Sequence, residues 1–222
     1  MALSGFGVTE FQLVLLRRMQ DYQPELVEAA WERLGVTHSD ARQANAFWQS
    51  LERSRRAPRG LDRYRIVLGA PVGESELKIG DLPCRLYHWY LPLWPDLRWE
   101  VLTGAKGSVV NGWLARERGG AVPELPADGD LEPWSCVIGD VEQTYADVKH
   151  LEGDAPSRWH LAFTTPTGQA RLARFVHGLV QTTAVLDTPT ARSRAGSEAH
   201  KAEGIRGSRD APARARSTRT AP

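Results

Sequence analysis

Residues 84–116 read CRLYHWYLPLWPDLRWEVLTGAKGSVVNGWLAR and hold four of the chain's eight tryptophans. Arg85–Leu91 is aromatic and branched, as strands favour. Trp94-Pro95-Asp96-Leu97 places proline second in a four-residue turn, where its fixed φ suits a type I bend. Arg98–Thr103 and Ser108–Ala115 follow, joined across Gly104-Ala105-Lys106-Gly107, whose glycines supply positive φ for a tight hairpin. With the turn centred on Ala105-Lys106, Trp99 lies opposite Gly112 and Val101 opposite Val110. These side chains and Leu114 form one apolar face, with the Trp99 indole over the glycine gap. Arg98, Glu100, Asn111 and Trp113 form the other, mixed face. The stretch therefore reads as an antiparallel meander, packed on one side and partly wet on the other.

Upstream, the periodicity turns helical. Thr9 with Gln12 three residues on has the spacing of a capping box, and Phe11, Leu15, Met19 and Tyr22 recur on one side. Pro24 suits the first turn of a second helix ending at Leu34-Gly35, with Leu26, Ala30, Trp31 and Leu34 on its apolar face. A third helix opens at Ser39 or Asp40, runs to about Ser54 and buries Ala44, Phe47, Trp48 and Leu51. Arg63–Leu68 alternates as a half-buried strand, and Glu76–Ile79 is a short one. Downstream, Gly119–Pro133 is a polar, proline-broken loop expected not to pack. Trp134–Ile138 and Trp159–Thr164 read as strands, and 140–152 fits helix or strand. Gly168–Val185 reads as a helix, with Leu172, Phe175, Leu179 and Val180 along one side. No useful internal repeat is visible.

The fold class expected is α+β: an N-terminal helical unit over 1–58 and a mainly antiparallel sheet domain with a packed C-terminal helix over 61–187. From 188 to 222 the sequence is rich in Arg, Ala, Ser and Gly and reads as a disordered tail. Pro189–Pro222 carries eight Lys/Arg against three Asp/Glu, a net of +5. The rest is 20 basic against 24 acidic, a net of −4. Arginine outnumbers lysine 24 to 4, which points first to a GC-rich coding sequence such as an actinomycete's. Two cysteines do not make a disulfide framework and favour a reducing, cytoplasmic setting. The start is a poor signal peptide, and no run reaches the ~18 apolar residues of a spanning helix.

Chemistry-bearing patterns are few. Cys84 and His88 share a face of a strand but stand about 13 Å apart, too far for two ligands of one zinc. Asp128–Glu132 is a poor calcium loop, because the twelfth position is Gly139 rather than a glutamate. Gly104–Ser108 lacks the Gly-Lys-Ser order of a phosphate loop, and no nucleophile elbow occurs. His160, between Trp159 and Leu161, reads as structural or exposed rather than as a base. No catalytic residue, cofactor or metal is assigned.

Two binding patterns remain. Residues 24–56 resemble a helix-turn-helix through the Leu-Gly-Val-Thr turn at 34–37, although Trp31 stands where such elements carry a small residue. Read as such, Arg42, Gln43 and Asn45 reach base edges, and Arg53, Arg55 and Arg56, which close the third helix, are further candidate DNA contacts. A plain αα-hairpin explains the same pattern. The basic tail offers weak, non-specific phosphate contacts. On the wetter sheet face Trp94, Arg98 and Trp113 form a candidate surface for a protein partner, whereas Trp99, Trp134 and Trp159 read as core.

Trp159-His160-Leu161-Ala162-Phe163, Pro166, Phe175 and Leu179 give the spacings W-x3-F, F-x11-F and F-x3-L. With Pro133-Trp134 ahead, Glu132–Gln181 resembles a Streptomyces-type domain of unknown function. Its units run strand WxxxF, Thr-Pro turn, then a helix ending F…aL. Here Pro166 comes two residues early and the acidic residue after it is missing. Such domains occur in actinomycete chromosomal and mobile-plasmid proteins, and the resemblance transfers no catalytic residue. It implies source and neighbourhood more than activity. With no catalytic constellation found, the function expected is a non-enzymatic binding or accessory protein of plasmid transfer or spread. The alternative is a DNA-binding regulator.

Overall fold

A computed structural model describes residues 5–186. Four helices come first: α1 (Val8–Met19), α2 (Pro24–Leu34), α3 (His38–Arg53) and α4 (Leu61–Leu68). Sheet A follows, a meander of β1 (Gly73–Ile79), β2 (Leu82–Leu91), β3 (Trp94–Thr103) and β4 (Val109–Arg116). A connection and α5 (Ile138–Thr144) lead to sheet B, a second meander of β5 (Ala146–Leu151), β6 (Arg158–Thr164), β7 (Ala170–Val176) and β8 (Leu179–Val185). Every pairing is antiparallel and between sequence neighbours. The chain is thus α+β. The expected tail lies outside the described residues.

The helices owe their ends to local chemistry. α2 starts on Pro24 and stops at Gly35, whose φ of +67° is the left-handed C-cap glycine permits. Thr37, rather than Ser39 or Asp40, caps α3: the Thr37 N–H donates to Asp40 Oδ2 (2.8 Å) and the Asp40 N–H donates to Thr37 Oγ1 (3.3 Å). Gly7, not Thr9, precedes α1, and its N–H donates to Glu10 Oε2 (2.8 Å). Gln12 has a different task. Fully buried, it accepts the Leu93 N–H (2.7 Å) and so pins α1 to the β2–β3 turn. In α2, Val27 is buried and Leu26 is exposed.

Helices and sheet A share one core. Phe11 meets Trp48 and Trp99 edge-on, each at 5.3 Å between ring centroids, and Tyr64 meets Trp89 at 6.2 Å. The boundary expected at 58–61 therefore separates no two cores. Residues 63–68 are helix α4, not a strand. Leu61, Tyr64 and Leu68 recur at helical spacing and pack on that core, and Ile66 faces out.

Within the meander, Pro92-Leu93 forms the β2–β3 turn, three residues before the expected Pro95-Asp96, and Trp94 and Pro95 lie in β3. The β3–β4 loop is longer than two residues, with Lys106 and Gly107 at φ +57° and +72°. That shifts the register by two: Trp99 faces Leu114 and Val101 faces Gly112. A shift of two keeps Trp99, Val101, Gly112 and Leu114 on their expected face. An irregularity at Leu102/Thr103 pairs Thr103 with Val109, however, so Val110 turns outward and Val109 packs on the core. The Trp99 ring still lies over Gly112, where a Cβ would come within 2.7 Å of it.

Sheet B corrects three expectations. Gly168–Val185 is the β7–β8 hairpin, not a helix. His177 and Gly178 (φ +49° and +81°) form a two-residue loop with both residues left-handed, as a type I′ turn needs, and Ala173 and Phe175 point alternately into the core. Trp134–Ile138 is not a strand. Trp134 sits at φ +65°, Val137 makes one bridge to Leu179, and α5 begins at Ile138 because the Asp140 carboxylate accepts the Val137 N–H (3.0 Å). The segment 140–152 divides into α5 and β5. The connection also packs more than expected: Leu131 is buried, with its N–H donating to Thr183 Oγ1 (3.2 Å).

Candidate functional site

Antiparallel register sorts sheet A into two faces. Tyr87, Trp89, Trp99, Val101 and Leu114 face the helices. On the other face Leu86, Leu102 and Asn111 form one row, His88, Glu100 and Trp113 the next, and Tyr90, Arg98 and Ala115 the third. Cys84, Leu86 and Leu102 cluster there with Leu77 and Trp113, and no helical residue joins them among the described residues. Arg98 and Glu100 bury each other, with Arg98 Nε donating to Glu100 Oε1 (2.7 Å). Burial and the charge of Arg98 hold the His88 imidazole below its ordinary range.

This face runs into an open cleft of about 590 Å³ between β4 and the elements before and within sheet B. Asn111 and Trp113 come from β4, Val122 from the connection, Ile138 and Gln143 from α5, His150 from β5 and Trp159 from β6. Trp113 and Trp159 are half-buried, so two tryptophans from different sheets present rings to one cleft. At the rim, His150 Nε2 lies 2.7 Å from Glu142 Oε1. At the base, Asp140 is fully buried and accepts from Arg116 Nε (2.9 Å) and Nη2 (3.0 Å). This bidentate pair, together with the Val137 cap, ties β4 to α5 and fixes the cleft's width.

The expected triad does not stay together. Trp94 belongs to the helix-side core, 6.3 Å from the Trp134 ring. Arg98 is on the outer face but buried, and Trp113 alone of the three opens onto the cleft. Trp99 and Trp134 are packed in the core. Trp159 packs on the second core and also lines the cleft, a double role that its strand alternation does not show. Of the candidate DNA contacts, Arg42, Gln43, Arg53, Arg55 and Arg56 are exposed and Asn45 is half-buried.

The remaining chemistry-bearing groups do not converge. Cys84 and Cys136 are free and buried, and burial pushes the Cys136 thiol up to about 12, so it stays protonated. Among the described residues no group of three or more His, Cys, Asp or Glu is placed to hold a metal ion. No helix among them is long and apolar enough to cross a membrane.

No family model and no curated protein matches the chain. Among solved structures it is similar to a candidate beta-lactamase inhibitor protein from Streptococcus mutans, at 12% identity and a TM-score of 0.25, over 64% of this chain and 95% of that one. A likeness at that level carries no argument about fold or function.

Proposed function

We propose that the chain is a non-enzymatic binding or accessory protein whose partner is another protein, held in the cleft between β4, α5 and β6. The observation that supports this reading is the convergence of Trp113 and Trp159, from separate sheets, on one open cleft. Half-buried aromatics at the centre with Asn111, Gln143 and His150 around them have the make-up of a binding hot spot: an apolar anchor inside a polar rim. The Arg116–Asp140 pair keeps the walls in place before a partner arrives, which lowers the ordering cost of binding. The occupant is an extended protein segment with one large apolar side chain between Trp113 and Trp159 and backbone groups for Asn111 and Gln143. The arginine-rich composition supports an actinomycete setting. Of the resemblance, the W-x3-F strand at 159–163 supports a role beside a mobile plasmid, whereas its helix does not, since 168–185 is a hairpin.

The test is site-specific photocrosslinking from position 143 in the host. The captured protein is then purified and titrated against wild type, Trp113→Ala and Trp159→Ala. Each variant is expected to bind about tenfold or more weakly while keeping its fold. Equal affinity for all three proteins overturns the proposal.

A second reading, DNA recognition by α3, is favoured by the exposure of Arg42 and Gln43 in its first two turns and of Arg53, Arg55 and Arg56 at its end. Fluorescence anisotropy of the full chain with duplexes of different sequence tests it. The reading predicts sequence preference that Arg42→Ala/Gln43→Ala removes.

A further inference from the structure

β1 is the edge strand of sheet A, and among the described residues it pairs on one side only, with β2. Open edges usually carry charges that repel a stray strand. Here the charges have a particular order. Glu76 and Lys78 flank Leu77, so they stand symmetrically about one apolar residue. The hairpin also collects exposed apolar side chains: Leu82 is 69% exposed, Val72 60% and Ile79 49%.

We infer that the β1 edge is a self-association surface, on which a second copy of this chain pairs antiparallel about Leu77 to join two sheets into one. In that register Leu77 faces Leu77, Glu76 of each copy faces Lys78 of the other, and Ser75 faces Ile79. No like charges are directly opposed, whereas pairing about Glu76 would set that carboxylate against itself. The antiparallel arrangement brings Val72 of one copy to the hairpin end that carries Ile79 and Leu82 in the other. Glu76 already holds Arg85 at 2.7 Å, and in the pair it would lie between Arg85 and the incoming Lys78. A foreign strand meets the same edge as misplaced charge, so the order that protects the edge also selects its own copy. One strand pair is small for an interface, so the dimer is weak and concentration-dependent.

The test is sedimentation equilibrium of the full chain, wild type against Glu76→Lys and Lys78→Glu. Both positions are exposed, so the fold is expected to survive, and far-UV circular dichroism checks that it does. Wild type should show a monomer–dimer equilibrium, and each variant alone should associate about tenfold or more weakly. Mixed in equal amounts, the two variants set lysines against glutamates at both sites. Heterodimers should then form with near wild-type affinity, seen as the mixed mass in native mass spectrometry. A wild type that stays monomeric up to about 1 mM, variants that associate as wild type does, or a mixture that stays apart each overturns the inference. Trp113→Ala should leave this association unchanged, which separates it from the cleft.

Discussion

Sheet A and sheet B are meanders of the same connectivity with different backing. Sheet A rests on α1, α3 and α4 through large rings, so its helix-side face is set by Phe11, Trp48, Tyr64, Trp89 and Trp99 interlocking. Sheet B has one short helix and a folded-in connection, with a core of smaller pieces around the stacked Tyr145–Phe163 pair (4.5 Å). The two meet through Val137, Val176 and Leu179, which belong to the helix–sheet A core, and through a few polar contacts. The Leu114 N–H donates to the His177 carbonyl (2.7 Å), Gln23 Nε2 to the Gln181 carbonyl (2.6 Å), and Arg158 bridges Asp21 and Asp154. A ring-packed core resists local change, whereas the joint adds to its apolar contacts a few polar ones whose loss would leave buried groups unpaired.

The largest effect is therefore expected at the joint. Asp140→Ala strands the buried side of Arg116 and uncaps α5, and should cost about 3–5 kcal/mol in urea unfolding. A loss below about 1 kcal/mol would show that the sheets are held together elsewhere.

His177 gives the joint a pH dependence. Burial, with Arg18 adding to it, lowers the imidazole to about 3, and neither ring nitrogen has a partner. The unfolded chain takes up this proton near pH 6.5 and the folded one does not until about pH 3, so stability falls as pH drops through that window. The loss reaches about 3 kcal/mol by pH 4. Asn tolerates the left-handed backbone and does not titrate. Melting curves of His177→Asn at pH 7 and pH 4 should therefore differ by less than those of wild type.

Gly112→Ala probes the ring-packed side. Its Cβ would force the Trp99 indole to move, at a cost of about 1–3 kcal/mol. A neutral result would mean that this core adapts as readily as sheet B's. The smallest effect belongs to the α3 surface, where Arg42→Ala/Gln43→Ala should change thermal stability by no more than about 0.5 kcal/mol.

The same contrast explains what was legible in the sequence. Sheet A announces itself through aromatic alternation and glycine turns, and a register misplaced by two keeps the faces of Trp99, Val101 and Leu114. Val110 is misread because the irregularity beside the loop leaves no sign in the alternation. Gly168–Val185 misleads because Leu172, Phe175 and Leu179 also fit helical spacing. The decisive signal is His177-Gly178, and histidine is not the usual first residue of such a loop. α4 is the reverse case, where a two-residue alternation hides a helical stripe. The cleft was only half legible: Trp113 stood out as a residue of the wetter face, but its pairing with Trp159 depends on how two sheets meet. Local periodicity carries no information about that.

The Gln12–Leu93 bond has a consequence for how the chain is made. Each meander pairs neighbouring strands and can zip locally and fast. Helix α1, in contrast, buries Phe11, Leu15, Leu16 and Met19 in a core completed by residues as distant as Leu179. As the chain leaves the ribosome, those side chains emerge well before their partners. The helices must then wait, with apolar surface partly uncovered, until β8 is out, and the nascent chain is most exposed to chaperones and aggregation during that interval.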